Sequence, residues 1–214
     1  QGRHQKGAEV NDWQVEQGSP EWFKARCGRV TASRISDVIA KGKGTTRNSY
    51  RDQLVAEILT GEIADTYQSD AMKWGIEQEQ FARAAYEIHA GVMVDKTGGR
   101  SHPRLRSGAS PDGVVDPDGL LEIKCPNSAT HVGYLAGREV PAKYRAQMLW
   151  QLACYPERKW CDFVSFDARL PEGSRLFVAR LMRDDEWIAN TETEVEKFLA
   201  EVDAMVEQIK SSTF

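Results

Sequence analysis

Apolar positions change their spacing several times along the chain, and each change marks an expected element. "SPEWFKARCGRVTASRISDVIAK" predicts a short helix, a glycine break and a second helix capped by Thr31 or Ser33. The basic, glycine-containing stretch "GKGTTRNSY" reads as a loop. From about Ser49 to Thr60, Leu54, Val55, Ile58 and Leu59 share one helical face, and Gly61 stops it. A further helix is expected over 70–90, ending at Gly91. Then the period shortens: "GVMVDK", "LRSGAS", "GVVD" and "GLLEIKC" are β-rich runs separated by Gly, Pro and Asp turns. Helical spacing returns over about 143–155 with Tyr144, Met148 and Leu152 in register. "CDFVSFDA" and "RLFVARLM" follow as two strands. A last helix, roughly 184–210, aligns Val195, Phe198, Leu199, Val202, Met205, Val206 and Ile209, and its acidic start (Asp184, Asp185, Glu186) suits the positive end of a helix dipole. This order predicts an α/β layer with a central mixed β-sheet flanked by helices, the terminal stripe facing the core.

Composition narrows the class. With 41% hydrophobic and 28% charged residues the 214-residue chain is ordinary globular protein, sized for a single domain over 11–214. The opening "QGRHQKGAEV" (1–10) reads as a flexible leader or an expression remnant. No apolar run approaches membrane-spanning length, so no membrane partner is expected. Cys27, Cys125, Cys154 and Cys161 are scattered without a C-x-x-C pair, which speaks against zinc or iron–sulfur and for reduced thiols in a cytoplasm. A net charge of −4 means that any DNA contact comes from a local basic surface.

The chemistry concentrates in "SPDGVVDPDGLLEIK", residues 110–124. Strand alternation puts Glu122 and Lys124 on one face, with Leu121 and Ile123 on the other. Hairpin pairing would bring Asp112 beside Glu122. Two converging carboxylates repel unless a cation sits between them, and a hard, oxygen-liganded ion such as Mg²⁺ meets that need. Lys124 can then orient or deprotonate an attacking water and neutralise charge developing on phosphorus.

Asp112, Glu122 and Lys124 resemble the PD-(D/E)xK nuclease signature. The ordered stretches "VEQGSPEWFKARCGRVTAS", "AMKWGIEQEQFARAAYE", "SGASPDG", "LLEIKCP" and "YRAQMLWQL", spanning 15 to 151, resemble more narrowly the phage lambda exonuclease family of recombination nucleases. The resemblance implies a restriction-endonuclease-like fold. It implies metal ligation by Asp112, Glu122 and the Ile123 backbone carbonyl, with Glu79 reaching a second Mg²⁺ ion (Mn²⁺ as substitute). It implies a 5′-phosphate grip made of Arg26, Ser33, Ser110 and Gln147, in keeping with the chemistry of guanidinium, hydroxyl and amide donors. Lys43 and Met72 occupy positions that act on fraying of the duplex end. His102 stands where the family prototype carries an additional acid; it either ligates, suiting Mn²⁺ better than Mg²⁺, or contacts the phosphate, or packs structurally.

The implied activity is 5′→3′ digestion of one strand of linear double-stranded DNA to 5′-mononucleotides, leaving a 3′ overhang for recombination by strand annealing. A ring-shaped homotrimer, a single-strand annealing protein as partner, and the cytoplasm of a phage-infected or prophage-carrying bacterial cell are implied with it. Two other readings use the same residues: a restriction-like or junction-resolving endonuclease, and a non-cutting DNA-end-binding module. The presence of both Glu122 and Lys124 weighs against the latter.

Overall fold

A computed structural model describes Trp13 and residues 15–40, 44–63 and 69–212, the side chain of Ala71 excepted. The elements run α1 (Pro20–Arg26), β1 (Val30–Thr31), a 3-10 turn (Ala32–Arg34), α2 (Ile35–Val38), α3 (Thr45–Thr60) and α4 (Asp70–Ala90). Next come β2 (Val94–Asp95), β3 (Arg100–Ser101), β4 (Ser107–Ala109), β5 (Gly113–Val115) and β6 (Gly119–Lys124). The chain finishes with α5 (Ser128–Gly137), α6 (Ala142–Cys154), β7 (Trp160–Phe166), a 3-10 turn (Glu172–Ser174), β8 (Leu176–Met182) and α7 (Asp185–Ser211).

Five strands form the main sheet in the order β2-β5-β6-β7-β8, antiparallel except where β6 runs parallel to β7. A parallel neighbour requires a crossover, and α5 and α6 supply it, which lays α6 over the sheet. A second, small sheet has the order β1-β4-β3. The two faces of β6 belong to two cores. Leu120 joins the larger one, built from α3, α6 and α7 with Trp150, Phe163 and Phe198. Leu121 and Ile123 join the smaller one under Ala82 and Tyr86 of α4. The mixed sheet flanked by helices is thus as expected, and the stripe of α7 is buried in the core at Val195, Phe198, Val202 and Val206.

Several elements differ from the sequence reading. Helix α3 starts at Thr45, four residues early, because Arg47 is anchored on the carbonyl of Val38 and forms a double hydrogen bond with Glu201 of α7 at 2.7 and 2.8 Å; tertiary bonds override weak local propensity. Neither Thr31 nor Ser33 caps a helix through its side chain: Thr31 ends β1, and its N–H donates to the Tyr50 hydroxyl at 3.1 Å. Helix α5 was not expected at all. Asn127 caps it by accepting the Thr130 N–H at 2.9 Å, and buried His131 ties it to the hydroxyl of Ser165 and the carbonyl of Ser174. All four cysteines are free, and Cys154 and Cys161 are buried. Among the described residues no helix is long and apolar enough to cross a membrane.

Candidate active site

The register Gly113↔Leu121 sets Asp112 opposite Glu122, one step beyond the last paired residues of the β5–β6 hairpin. Both ends of Asp112 are pinned there. Its N–H donates to the Leu121 carbonyl at 2.9 Å, and its Oδ2 accepts the N–H of Ile123 at 2.6 Å, so the side chain continues the ladder where the backbone of β5 leaves it. On β6, Glu122 is 1% exposed and Lys124 remains half-buried, with Lys124 Nζ 2.5 Å from Glu122 Oε1. The alternation that separates them from Leu121 and Ile123 holds as read.

Electrostatics bind this trio together. Asp112 is pushed up to about 8, first by burial and then by the charges of Glu122 and Glu79, against the pull of Lys124 and the Ile123 N–H. Burial alone would lower Lys124, but Glu122 and Asp112 outweigh it and hold the ammonium above lysine's ordinary value. Lys124 is therefore a charged donor. Orienting water and neutralising charge both fit this charged state. Behind it, burial pushes the Cys125 thiol up to about 12, leaving it protonated.

Glu79, on α4, pairs with Arg83 one turn later at 2.5 Å, and the same guanidinium donates to the Asp112 carbonyl at 2.5 Å. Arg83 thereby links two of the expected acids, a role that the sequence reading missed. Its signal was the i, i+4 spacing from Glu79. Gln147 and Gln151, a turn apart on α6, donate to Glu122 Oε1 and Oε2 at 2.6 and 2.5 Å. Gln147, expected in the phosphate grip, donates here to the carboxylate of Glu122. Gln151 was missed, and the i, i+4 repeat of glutamines in "QMLWQ" was its signal.

His102 lies elsewhere. It stacks on Trp150 (ring centroids 5.2 Å apart), its Nδ1 accepts the N–H groups of Arg104 and Leu105, and its Nε2 meets Glu192 Oε1 at 3.0 Å. With both nitrogens occupied it has no lone pair for a metal, and of the three roles read for it, structural packing is the one observed. Burial lowers its pKa.

A cleft of about 1220 Å³ is lined by Asp112 and Glu79, by Met72, and by Arg26 and Ser33. Arg26, at the end of α1, lies over the Trp22 ring at 4.0 Å and is lowered to about 10 by burial, partly offset by Tyr50 and Glu57. It makes no ion pair among the described residues. Ser33 is exposed, 3.3 Å from the Thr31 hydroxyl. Ser110 Oγ accepts from Trp22 Nε1 at 3.0 Å. Met72 is 53% exposed at the cleft wall. Lys43 lies outside the described residues.

Among the described residues no three His, Cys, Asp or Glu side chains gather into a self-sufficient metal cage. The donor set fits a hard divalent ion such as Mg²⁺, which takes one or two carboxylates and keeps waters for the rest: Asp112 stands opposite Glu122, and both Glu122 and Glu79 act on its charge.

Residues 21–156 match the family described as YqaJ-like viral recombinase domain. Among solved structures, an alkaline exonuclease from Laribacter hongkongensis is 45% identical, with a TM-score of 0.85 covering 90% of this chain and 97% of that one. The same enzyme in complex with dAMP gives the same values. A phage related exonuclease from Haemophilus somnus 129PT, 18% identical, shares the fold with a TM-score of 0.69 over 85% of this chain and 96% of its own. No curated protein matches. The chain belongs to the YqaJ-like viral recombinase domain family and is an exonuclease of restriction-endonuclease-like fold.

Proposed function

We propose that this exonuclease is divalent-metal-dependent and digests one strand of linear double-stranded DNA in the 5′→3′ direction, releasing 5′-mononucleotides and leaving a 3′ single-stranded overhang for recombination by strand annealing. The observation that carries the reading is one cleft lined by Asp112 and Glu79 together with Arg26 and Ser33. A half-buried guanidinium without an ion pair among the described residues is a natural seat for a 5′-phosphate. A fixed distance from that seat to the acids measures off one nucleotide per cut. Each cut leaves a new 5′-phosphate for the same seat. The dAMP complex of the Laribacter enzyme supports a nucleotide-sized subsite in this architecture.

Asp112, Glu122 and the carbonyl of Ile123 would hold Mg²⁺ or Mn²⁺, with Glu79 serving a second ion. A bound ion supplies an acidified water and positive charge beside the scissile phosphate. Glu122 is held by Gln147 and Gln151 so that its oxygens keep one orientation. Lys124 Nζ donates to the attacking water and to the oxygen on which charge develops. Ser110 closes the phosphate seat beside Arg26. Met72, apolar and exposed on the wall, is placed to wedge against the terminal base pair, whose separation costs about 1 to 2 kcal/mol per step. Lys43 completes that part of the reading from the sequence. A homotrimer around the duplex, a single-strand annealing protein to coat the overhang, and the cytoplasm of a phage-infected or prophage-carrying bacterium belong to the same proposal, on the strength of the family.

A time course on linear duplex with 5′-phosphate or 5′-hydroxyl ends, with Mg²⁺ or chelator, tests it. Mononucleotide release that needs metal and favours phosphorylated ends is expected. Cutting of closed circular duplex would transfer the assignment to an endonuclease, and binding of ends without release of nucleotides to a non-cutting module.

A further inference from the structure

Trp22 touches two groups of the phosphate grip at once. The face of its ring carries the guanidinium of Arg26 at 4.0 Å. Its edge donates one Nε1–H to both the Gly98 carbonyl at 2.9 Å and the Ser110 hydroxyl at 3.0 Å. Arg26 is fixed by α1, and Ser110 by the segment after β4. These two places are far apart in sequence, and the indole spans them.

The segment leading into α1 seats that indole firmly. Gln17 Nε2 donates to the carbonyls of Thr97 and Pro111 at 3.0 and 2.9 Å, and Pro111 directly precedes Asp112. The Trp13 N–H donates to the Gly99 carbonyl at 2.8 Å. The approach is so close that a Cβ on Gly98 would stand 2.0 Å from the Trp13 carbonyl oxygen, and one on Gly99 (φ +140°) 2.5 Å from Ser110 Oγ. Only glycine fits there.

We propose that Trp22 is the positioning residue of the 5′-phosphate seat: its ring face orients Arg26, its indole N–H orients Ser110, and both are thereby set in register with Asp112. This rests on the 5′-phosphate reading above. The hydroxyl of Ser110, accepting from the indole, is left with its own O–H to donate, and an anionic oxygen beside Arg26 is the acceptor for which that arrangement is ready.

The test compares kcat/KM on duplex with 5′-phosphate and with 5′-hydroxyl ends. Trp22→Phe keeps a ring for Arg26 and loses the indole donor, so the preference for phosphorylated ends falls about fivefold. Trp22→Ala loses both contacts and the preference falls by about fifty-fold or to parity, whichever comes first. Ser110→Ala costs less preference in the Trp22→Phe background than in the wild type, because the bond that orients the hydroxyl is already gone. Full preference in a folded Trp22→Ala variant while Arg26→Ala loses it would overturn the proposal and leave the phosphate seat standing. If Trp22→Ala does not fold, additive losses in the Trp22→Phe and Ser110→Ala cycle overturn it. If the wild type itself prefers neither end, the phosphate reading fails and takes this inference with it.

Discussion

Gln151 gives its Nε2 hydrogen to Glu122 Oε2 at 2.5 Å while its own Oε1 accepts from the Cys161 thiol at 3.5 Å, and the amide is wholly buried. The carboxylate, which can only accept, sets which way the amide faces, and the thiol donates to the amide's other end. A buried carboxylate deprived of such a donor bears its desolvation uncompensated. Gln151→Leu is expected to lower the free energy of unfolding by about 1–3 kcal/mol. It should also raise the metal concentration needed for half-maximal activity. Denaturant unfolding and a Mg²⁺ titration measure the two effects.

Gln147 holds the other oxygen of the same carboxylate. Its loss therefore acts on the acid and leaves recognition of the end intact. In Gln147→Ala the rate falls by the same factor on 5′-phosphate and 5′-hydroxyl duplex, about tenfold for a charge-assisted hydrogen bond of ordinary strength. A deficit confined to phosphorylated ends would return Gln147 to the grip where the sequence reading placed it.

Lys124 is the charged donor nearest Glu122. Lys124→Ala is expected to reduce cleavage by at least about 10²-fold, the usual cost of one donor aimed at developing charge. DNA-end affinity, measured by fluorescence anisotropy in Ca²⁺, stays near wild type. Glu122→Ala differs in losing metal affinity as well, which calorimetric titration with Mn²⁺ would register.

Asp112 couples the site to pH. Raised to about 8 by burial and by Glu122 and Glu79, it favours the folded chain while protonated. Without metal, its contribution to stability is full below the ordinary carboxylate value of about 4 and is lost as pH climbs from there to about 8. A divalent cation competes with that proton, so less metal is needed as pH rises toward 8. Melting temperatures from pH 5 to 9, in Mg²⁺ and in chelator, should diverge with rising pH. Asp112→Asn should erase most of that divergence, and an unchanged gap in this variant would count against the assignment.

How far the sequence revealed this site depended on the range of each interaction. Asp112, Glu122 and Lys124 were readable because a turn and a two-residue strand period fix their relation locally. The bounds of α4 and the burial of the α7 stripe were equally local, written in periodicity and terminal glycines. Gln147 announced itself as a site residue but not its target, since nothing local says which way α6 lies across the sheet. Beyond their i, i+4 spacing, Arg83 and Gln151 carry no local mark of their role, because it is the packing of α4 and α6 on the sheet that brings them against the acids. Helix α5 was masked by Gly133 and Gly137, and its stability comes from the Asn127 cap and the contacts of His131. His102 stood at a suggestive place in the chain, yet the ring of Trp150 and the carboxylate of Glu192, from two distant helices, claim it.

Strand β6 is bordered by β5 over its first half, Gly119 to Leu121, and by β7 along all of it, while β5 holds only three residues and has the two-residue β2 as its outer neighbour. Glu122 thus rides on a strand paired throughout with β7, and Asp112 lies at the margin of the short β5. Amide exchange around Glu122 should be governed by global opening, and around the Pro111–Gly113 corner by cheaper local excursions. The two acids accordingly stand as anvil and jaw, Glu122 on the strand backed throughout by β7 and Asp112 on the short outer arm of the hairpin.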